Sequence, residues 1–148
     1  MTASGALMRS PLDAVHRALG ATMVEFGGWD MPISYPSGTI DEHMACRHAA
    51  AMFDVSHLGT VRVTGERSID TLQRAFTNDL GKVAPGRAQY THLLDADDAS
   101  VLDDIIVWWH PRDADAADDV FDVMPNASNT DRVREAIGGD DITADRAV

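Results

Sequence analysis

The ten residues SVLDDIIVWW, 100–109, constrain this chain more than any other stretch. β-branched and aromatic residues favour a pleated, half-buried surface on which Asp is depleted. The run therefore predicts a strand that carries two consecutive carboxylates, Asp103 and Asp104. Successive side chains of a strand point to opposite faces, so the two carboxylates are predicted to diverge. A carboxylate among apolar groups is costly unless it is hydrogen-bonded, paired or protonated. Leu102, Ile106 and Trp108 share the face of Asp104, which marks Asp104 as a carboxylate held beside an apolar pocket. Such a group can accept a hydrogen bond from a basic nitrogen of a ligand or shift its charge. The plainer alternative, two solvated carboxylates flanking a bend, stays open at this point.

The neighbouring pattern supplies the rest of a sheet. Residues 88–94 and 101–109 read as a hairpin joined by the acidic loop DADDAS, VFDVM as a further strand, and the stretch in which Val61 and Val63 alternate with polar residues before Gly65 as another. Ser10-Pro11-Leu12-Asp13 has a cap residue, a first-turn proline and a first-turn acid, and starts a helix that Gly20 ends. Residues 21–36 predict a short strand and then an ordered loop, with Gly27-Gly28 serving a tight turn. Further helices are predicted over 39–52 and 68–76, and PNASNTDRVREAIGG reads as a turn into a helix. Strands in hairpin order with helices inserted give an α+β fold, a mostly antiparallel sheet with flanking helices.

The net charge of −12 comes almost wholly from 20 Asp, set against 11 Arg and the single Lys82. No basic stripe of the kind nucleic acid requires is visible. Cys46 is alone, which excludes an intrachain disulfide and points to a reducing compartment. The N-terminus lacks the basic flank and apolar core of a signal peptide. No apolar run approaches the ~20 residues of a membrane span. A cytoplasmic protein is expected.

Other chemistry is weakly supported. His43 and Cys46 share a helix face but His48 is displaced, whereas a metal site needs three or four convergent ligands; no metal is expected. Ser56 and His57 are adjacent, so their side chains diverge, and no nucleophile elbow or phosphate loop is present. The acidic runs at 95–98 and 113–119 read as solvated loops without calcium-loop spacing.

Five stretches in order, EFGGWDMPISY, EHMACRHAAAMFDVSHLG, TNDLGKVAPGRAQYTHLL, VLDDIIV and PNASNTDRV, resemble the glycine cleavage system T-protein family, tetrahydrofolate-dependent aminomethyltransferases. The resemblance runs from about Leu12 to Val133. It implies the N-terminal part of the aminomethyltransferase folate-binding fold, and Asp104 as the key acidic residue at the folate. It also implies that Leu58, Tyr90, Met124 and Asn126 line that site. The implied reaction moves an aminomethyl carbon from the lipoyl arm of H-protein to tetrahydrofolate and releases ammonia. Two departures stand out: Pro125 replaces the family's usual Ser or Asn, and the loop between Tyr90 and Asp103 is one residue longer. Family chains are more than twice this length, so the sequence is read as an N-terminal fragment. Residues 1–53 are expected to begin a first folate-binding domain, 54–135 to form an antiparallel second one, and 136–148 to start a return to the first. The alternatives are a non-enzymatic folate-binding relative, such as an iron–sulfur assembly factor, and the folate-dependent part of a demethylating oxidase.

Overall fold

The computed structural model describes residues 6–112, 118–138 and 142–143. The chain divides into two compact units between His57 and Leu58, four residues beyond the boundary expected from sequence.

In the first unit β1 (Met8–Arg9), α1 (Asp13–Ala18), β2 (Thr22–Phe26), β3 (Trp29–Ser34) and α2 (Thr39–His48) follow in order. The segment expected to be one strand and a loop is instead a hairpin of β2 and β3. Gly27 and Gly28 make its two-residue turn, both with positive φ (58° and 85°), the conformation that matches the twist of the flanking strands. Pro32 gave β3 the look of a loop. Yet β1 pairs only with Trp29 and Asp30, in parallel, so β3 is an edge at Pro32, where a missing N–H costs no ladder bond. Trp29 and Met31 point inward and form the apolar centre. α2 buries none of its residues, and Ile40 and Met44 on it are exposed.

A polar group of four ties this unit together. His16 is buried, with Nε2 2.8 Å from Asp54 Oδ2 and Nδ1 2.7 Å from the Tyr35 hydroxyl. Asp54 also accepts from the Ser10 hydroxyl and, at 2.9 Å, from the Ser56 N–H. Ser10 Oγ in turn accepts from Leu12 N at 3.0 Å. α1 starts only at Asp13, with Leu12 in the cap position and no side-chain cap bond, so Ser10 closes the turn ahead of the helix where the sequence suggested a cap. These bonds hold residues 54–56 in the first unit, which is why the division falls later than expected. Burial pushes the Asp54 carboxyl up, but the hydrogen bonds from Ser10, His16 and Ser56 outweigh it and hold it well below the usual carboxylate range.

The second unit contains β4 (Val61–Thr64), α3 (Ser68–Ala75), β5 (Ala88–Leu94), β6 (Val101–Trp109), β7 (Val120–Met124), α4 (Thr130–Ile137) and β8 (Ile142–Thr143). The sheet order is β5-β6-β7-β4-β8, with every pairing antiparallel. β8 pairs with β4, so this stretch of 136–148 stays in the second unit's sheet. Val61, Val63, Leu93, Ile105, Val107, Phe121 and Val123 from the strands meet Leu72, Val133 and Ile137 from the helices in one core. Alternation explains the split: the opposite face of β6 carries Asp104, Ile106 and Trp108, all exposed. The DADDAS turn is closed by its own side chains, with Asp95 Oδ1 accepting from Asp97 N and Asp98 Oδ1 from Ser100 N. Of the second acidic run, residues 113–117 lie outside the described residues; Asp119 pairs with Arg112 and accepts from the Trp109 indole.

The Asp54 group sets an acid limit on the first unit. A carboxyl whose folded pKa lies below its unfolded value contributes fully above the unfolded value, about 3.9, and the contribution drains away as pH falls through the folded one. Amide hydrogen exchange over residues 6–57 is expected to show protection that is steady from neutral pH to about 4 and weakens below it. Asp54→Asn is expected to cost this unit about 1–3 kcal/mol at neutral pH, since His16 and Ser10 lose a charged acceptor. Unchanged protection in the variant would contradict this assignment.

Candidate functional site

The outer face of the second unit's sheet gathers most of the residues singled out from sequence. His92 lies opposite Asp104, and Tyr90, Ile106 and Met124 form one row across β5, β6 and β7. Tyr90 is therefore diagonal to Asp104, a separation that a long aromatic side chain can span. Its hydroxyl donates to Asp104 Oδ2. On the other side Asn126, just past β7, donates its amide to Asp104 Oδ1 at 2.8 Å. Three expected site residues, Tyr90, Asp104 and Asn126, are thus joined by hydrogen bonds. Met124 is half-buried on the same face. Leu58 is half-buried at the start of the unit, outside the hydrogen-bonded group.

The carboxylate buried among apolar groups is Asp103, at 4% exposure beside Ile105 and Val107. The apolar neighbours assigned to Asp104 do share its face, but that face is the open one: Ile106 and Trp108 are exposed with it. Asp104 is therefore only slightly desolvated by the protein, less than its hydrogen bonds offset. The Tyr90 hydroxyl and then the Asn126 amide hold its carboxyl below the ordinary range, and donating to it raises the Tyr90 phenol. At neutral pH the arrangement is an anion flanked by a protonated phenol and an amide. Each carboxylate oxygen has two lone pairs, so beyond these two bonds Asp104 can accept further N–H groups from a ligand lying on the face.

A little further along the face, Asp122 is clamped by Arg62 through two bonds of 2.8 and 2.9 Å and by His110 at 2.7 Å, and Trp108 stacks on the His110 ring at 4.2 Å. These groups neutralise one another and frame the apolar side of the face.

Sequence reasoning missed three participants. Asn129 donates to Asp103 Oδ1 at 2.9 Å; the signal was a second Asn at i+3 from Asn126, directly after a strand. Gly59 and Thr130 were unmarked. A Cβ on Gly59 would sit 2.0 Å from Thr130 Oγ1 and 2.9 Å from its Cβ, so only glycine lets the residue after Leu58 lie against the start of α4. Pro125 is fully buried and fixes the exit from β7, while Asn126 keeps its own N–H for Asp103. Among the described residues no group of three or more His, Cys, Asp or Glu is placed to hold a metal ion; His43, Cys46 and His48 are exposed on α2. No helix among the described residues is long and apolar enough to cross a membrane.

The sheet and its outer face define a class, an α+β protein with an exposed anionic carboxylate held between a phenol and an amide. The chain belongs to the GCVT N-terminal domain family, whose model matches residues 12–140. An aminomethyltransferase of Mycobacterium avium (strain 104) is 45% identical over 133 residues, which make up 90% of this chain and 34% of that one. The aminomethyltransferase of Streptomyces coelicolor is 45% identical over 131 residues, 88% of this chain and 33% of the relative. The crystal structure of glycine cleavage system aminomethyltransferase T from Bartonella henselae superposes with a TM-score of 0.74 at 28% identity, over 93% of this chain and 37% of that chain. The chain spans about a third of the length of these relatives.

The Gly59 contact yields a direct test. Gly59→Ala is expected to destabilise the second unit by about 1–3 kcal/mol, the usual cost of overpacking. Thr130→Ala removes the two nearest atoms, so the double variant should recover part of the loss. Chemical denaturation of the four proteins checks this; strictly additive costs would show that the contact is not the cause.

Proposed function

We propose that this chain is the N-terminal portion of a tetrahydrofolate-dependent aminomethyltransferase of the glycine cleavage system, acting in the cytoplasm with lipoylated H-protein as its partner. The observation that carries the reading is the Tyr90–Asp104–Asn126 group on an open, partly apolar sheet face, in a chain whose relatives are named aminomethyltransferases. The overall reaction takes the aminomethyl carbon from the lipoyl sulfur to tetrahydrofolate, giving methylene-tetrahydrofolate, ammonia and the free dihydrolipoyl thiol.

The donor set suits a flat, N–H-bearing ring. Asp104 would hold ring nitrogens as an acceptor and stabilise positive charge that develops there. Because its carboxyl is held low, it serves at neutral pH as an anion and proton acceptor rather than as an acid. Tyr90 and Asn126 keep that anion in one orientation, and fixed orientation is itself worth a large part of a barrier when two bound partners must meet. Leu58 and Met124 would supply apolar lining.

The test joins residues 1–138 of this chain to the remaining two thirds of the Mycobacterium avium relative. Ammonia and methylene-tetrahydrofolate are then followed with aminomethyl-loaded H-protein. The chimera should turn over, and Asp104→Asn should lower kcat about 10²-fold. A chimera that folds and binds H-protein but whose rate is unaffected by Asp104→Asn would overturn the role of Asp104.

A further inference from the structure

We propose that Asp103 is a positioning residue: it fixes the Asn126 amide in the orientation that reaches Asp104, with Asn129 completing the hold. The structural tie stands by itself; its importance for catalysis rests on the function proposed above.

The two buried carboxylates of the second unit are treated differently. Asp122 is ion-paired with Arg62 and hydrogen-bonded to the His110 ring. Among the described residues, Asp103 accepts from neutral amide donors: Asn126 N at 3.1 Å, Asn126 Nδ2 at 2.8 Å and Asn129 Nδ2 at 2.9 Å. A carboxylate set in a core without a cation is expensive, and a shape-matched apolar residue would fill the place at less cost. What the carboxylate does that an apolar residue cannot is take hold of Asn126 twice, by its backbone and by its side chain. The side-chain amide then has one hydrogen for Asp103 Oδ1 and one for Asp104 Oδ1, both at 2.8 Å.

The sheet's geometry shows why this grip is needed. β7 pairs with β6 only from Ile106 onward, so Asp103 and Asp104 lie past the end of β7. There the backbone acceptors of β6 on the β7 side have no neighbouring strand, while β5 still pairs on the other side. Asn126 Nδ2 approaches Asp104 O at 3.2 Å and Asn129 Nδ2 approaches Leu102 O at 3.3 Å. Alternate carbonyls of a strand point the same way. Asn129 has one hydrogen for Leu102 O and one for Asp103, whereas Asn126 reaches Asp104 O only by sharing a hydrogen aimed at a carboxylate, so the two amides replace part of the ladder that β7 no longer supplies. Side chains doing a strand's work have free torsions, and Asp103, between the two carbonyls, removes that freedom.

The test is a ¹³C NMR titration of the Asp104 carboxyl in this chain, assigned with Asp104→Asn. It separates two roles of Asp103 by sign. If Asp103 acts only as a neighbouring negative charge, Asp103→Asn makes Asp104 more acidic. If it positions Asn126, the same change releases the amide and makes Asp104 less acidic. The expected result is an upward shift of about one pH unit, tenfold in the ionisation equilibrium, in both Asp103→Asn and Asn126→Ala. The double variant should shift no further than Asn126→Ala alone. A downward shift in Asp103→Asn, or additive shifts in the double variant, would overturn the proposal. If Asp103→Asn does not fold, Asn129→Ala carries the test, because it leaves Asp103 and two of its three donors in place. An upward shift there supports the proposal, and an unmoved Asp104 overturns it. No folate enters the titration, so a failure here is distinct from a failure of the ammonia assay.

Discussion

A β-strand cannot show two consecutive side chains to the same side, and the architecture of the second unit follows from that constraint acting on Asp103 and Asp104. One carboxylate goes into the core and must be satisfied there; the other faces outward and is available. The core-facing one recruits Asn126 and Asn129 from the turn after β7, and the turn thereby comes to lie at the end of the sheet. The outward one inherits a partner from that recruitment and a second from the neighbouring strand. The pairing of an anchored and an exposed acid is therefore one device with two sides.

Local periodicity made most of the second unit legible. Alternation marks Val61 and Val63 as one side of a strand, the β5–β6 hairpin and β7 read as strands, and Asp103 and Asp104 fall on opposite faces of β6. The α+β class with antiparallel pairing followed from their order. What alternation does not say is which face is covered. Leu102, Ile106 and Trp108 made the Asp104 face look apolar, yet the helices pack on the other one, where α3 and α4 contribute Leu72, Val133 and Ile137. The choice between two partly apolar faces depends on residues far away in sequence, so a single strand cannot reveal it.

The first unit was less legible for a related reason. Its hairpin was hidden by Pro32, whose tolerance depends on how short β1 is. Its polar tie joins residues 10, 16, 35 and 54, none of them at a spacing that marks a helix face or a strand. His16 is unmarked within a helix, and Asp54 is one residue of a stretch matched to a family. The resemblance to a family marked Tyr90, Asp104 and Asn126, which motif matching can do. It did not mark Gly59, whose role appears only when Thr130 is placed beside it.

The order of strands in the second unit also governs how the chain meets itself as it is made. β4 lies between β7 and β8, and its pairing joins Val61 to Val123. On a ribosome β4 emerges early and waits, both edges bare, while α3, the whole β5–β6 hairpin and its loops are synthesised. Non-local pairing of this kind slows folding, and an unpaired apolar strand is exposed to association with other chains during the wait. Arg62, between the two inward valines, places a charge on that waiting strand, the kind of residue that keeps a bare edge from pairing with the wrong neighbour.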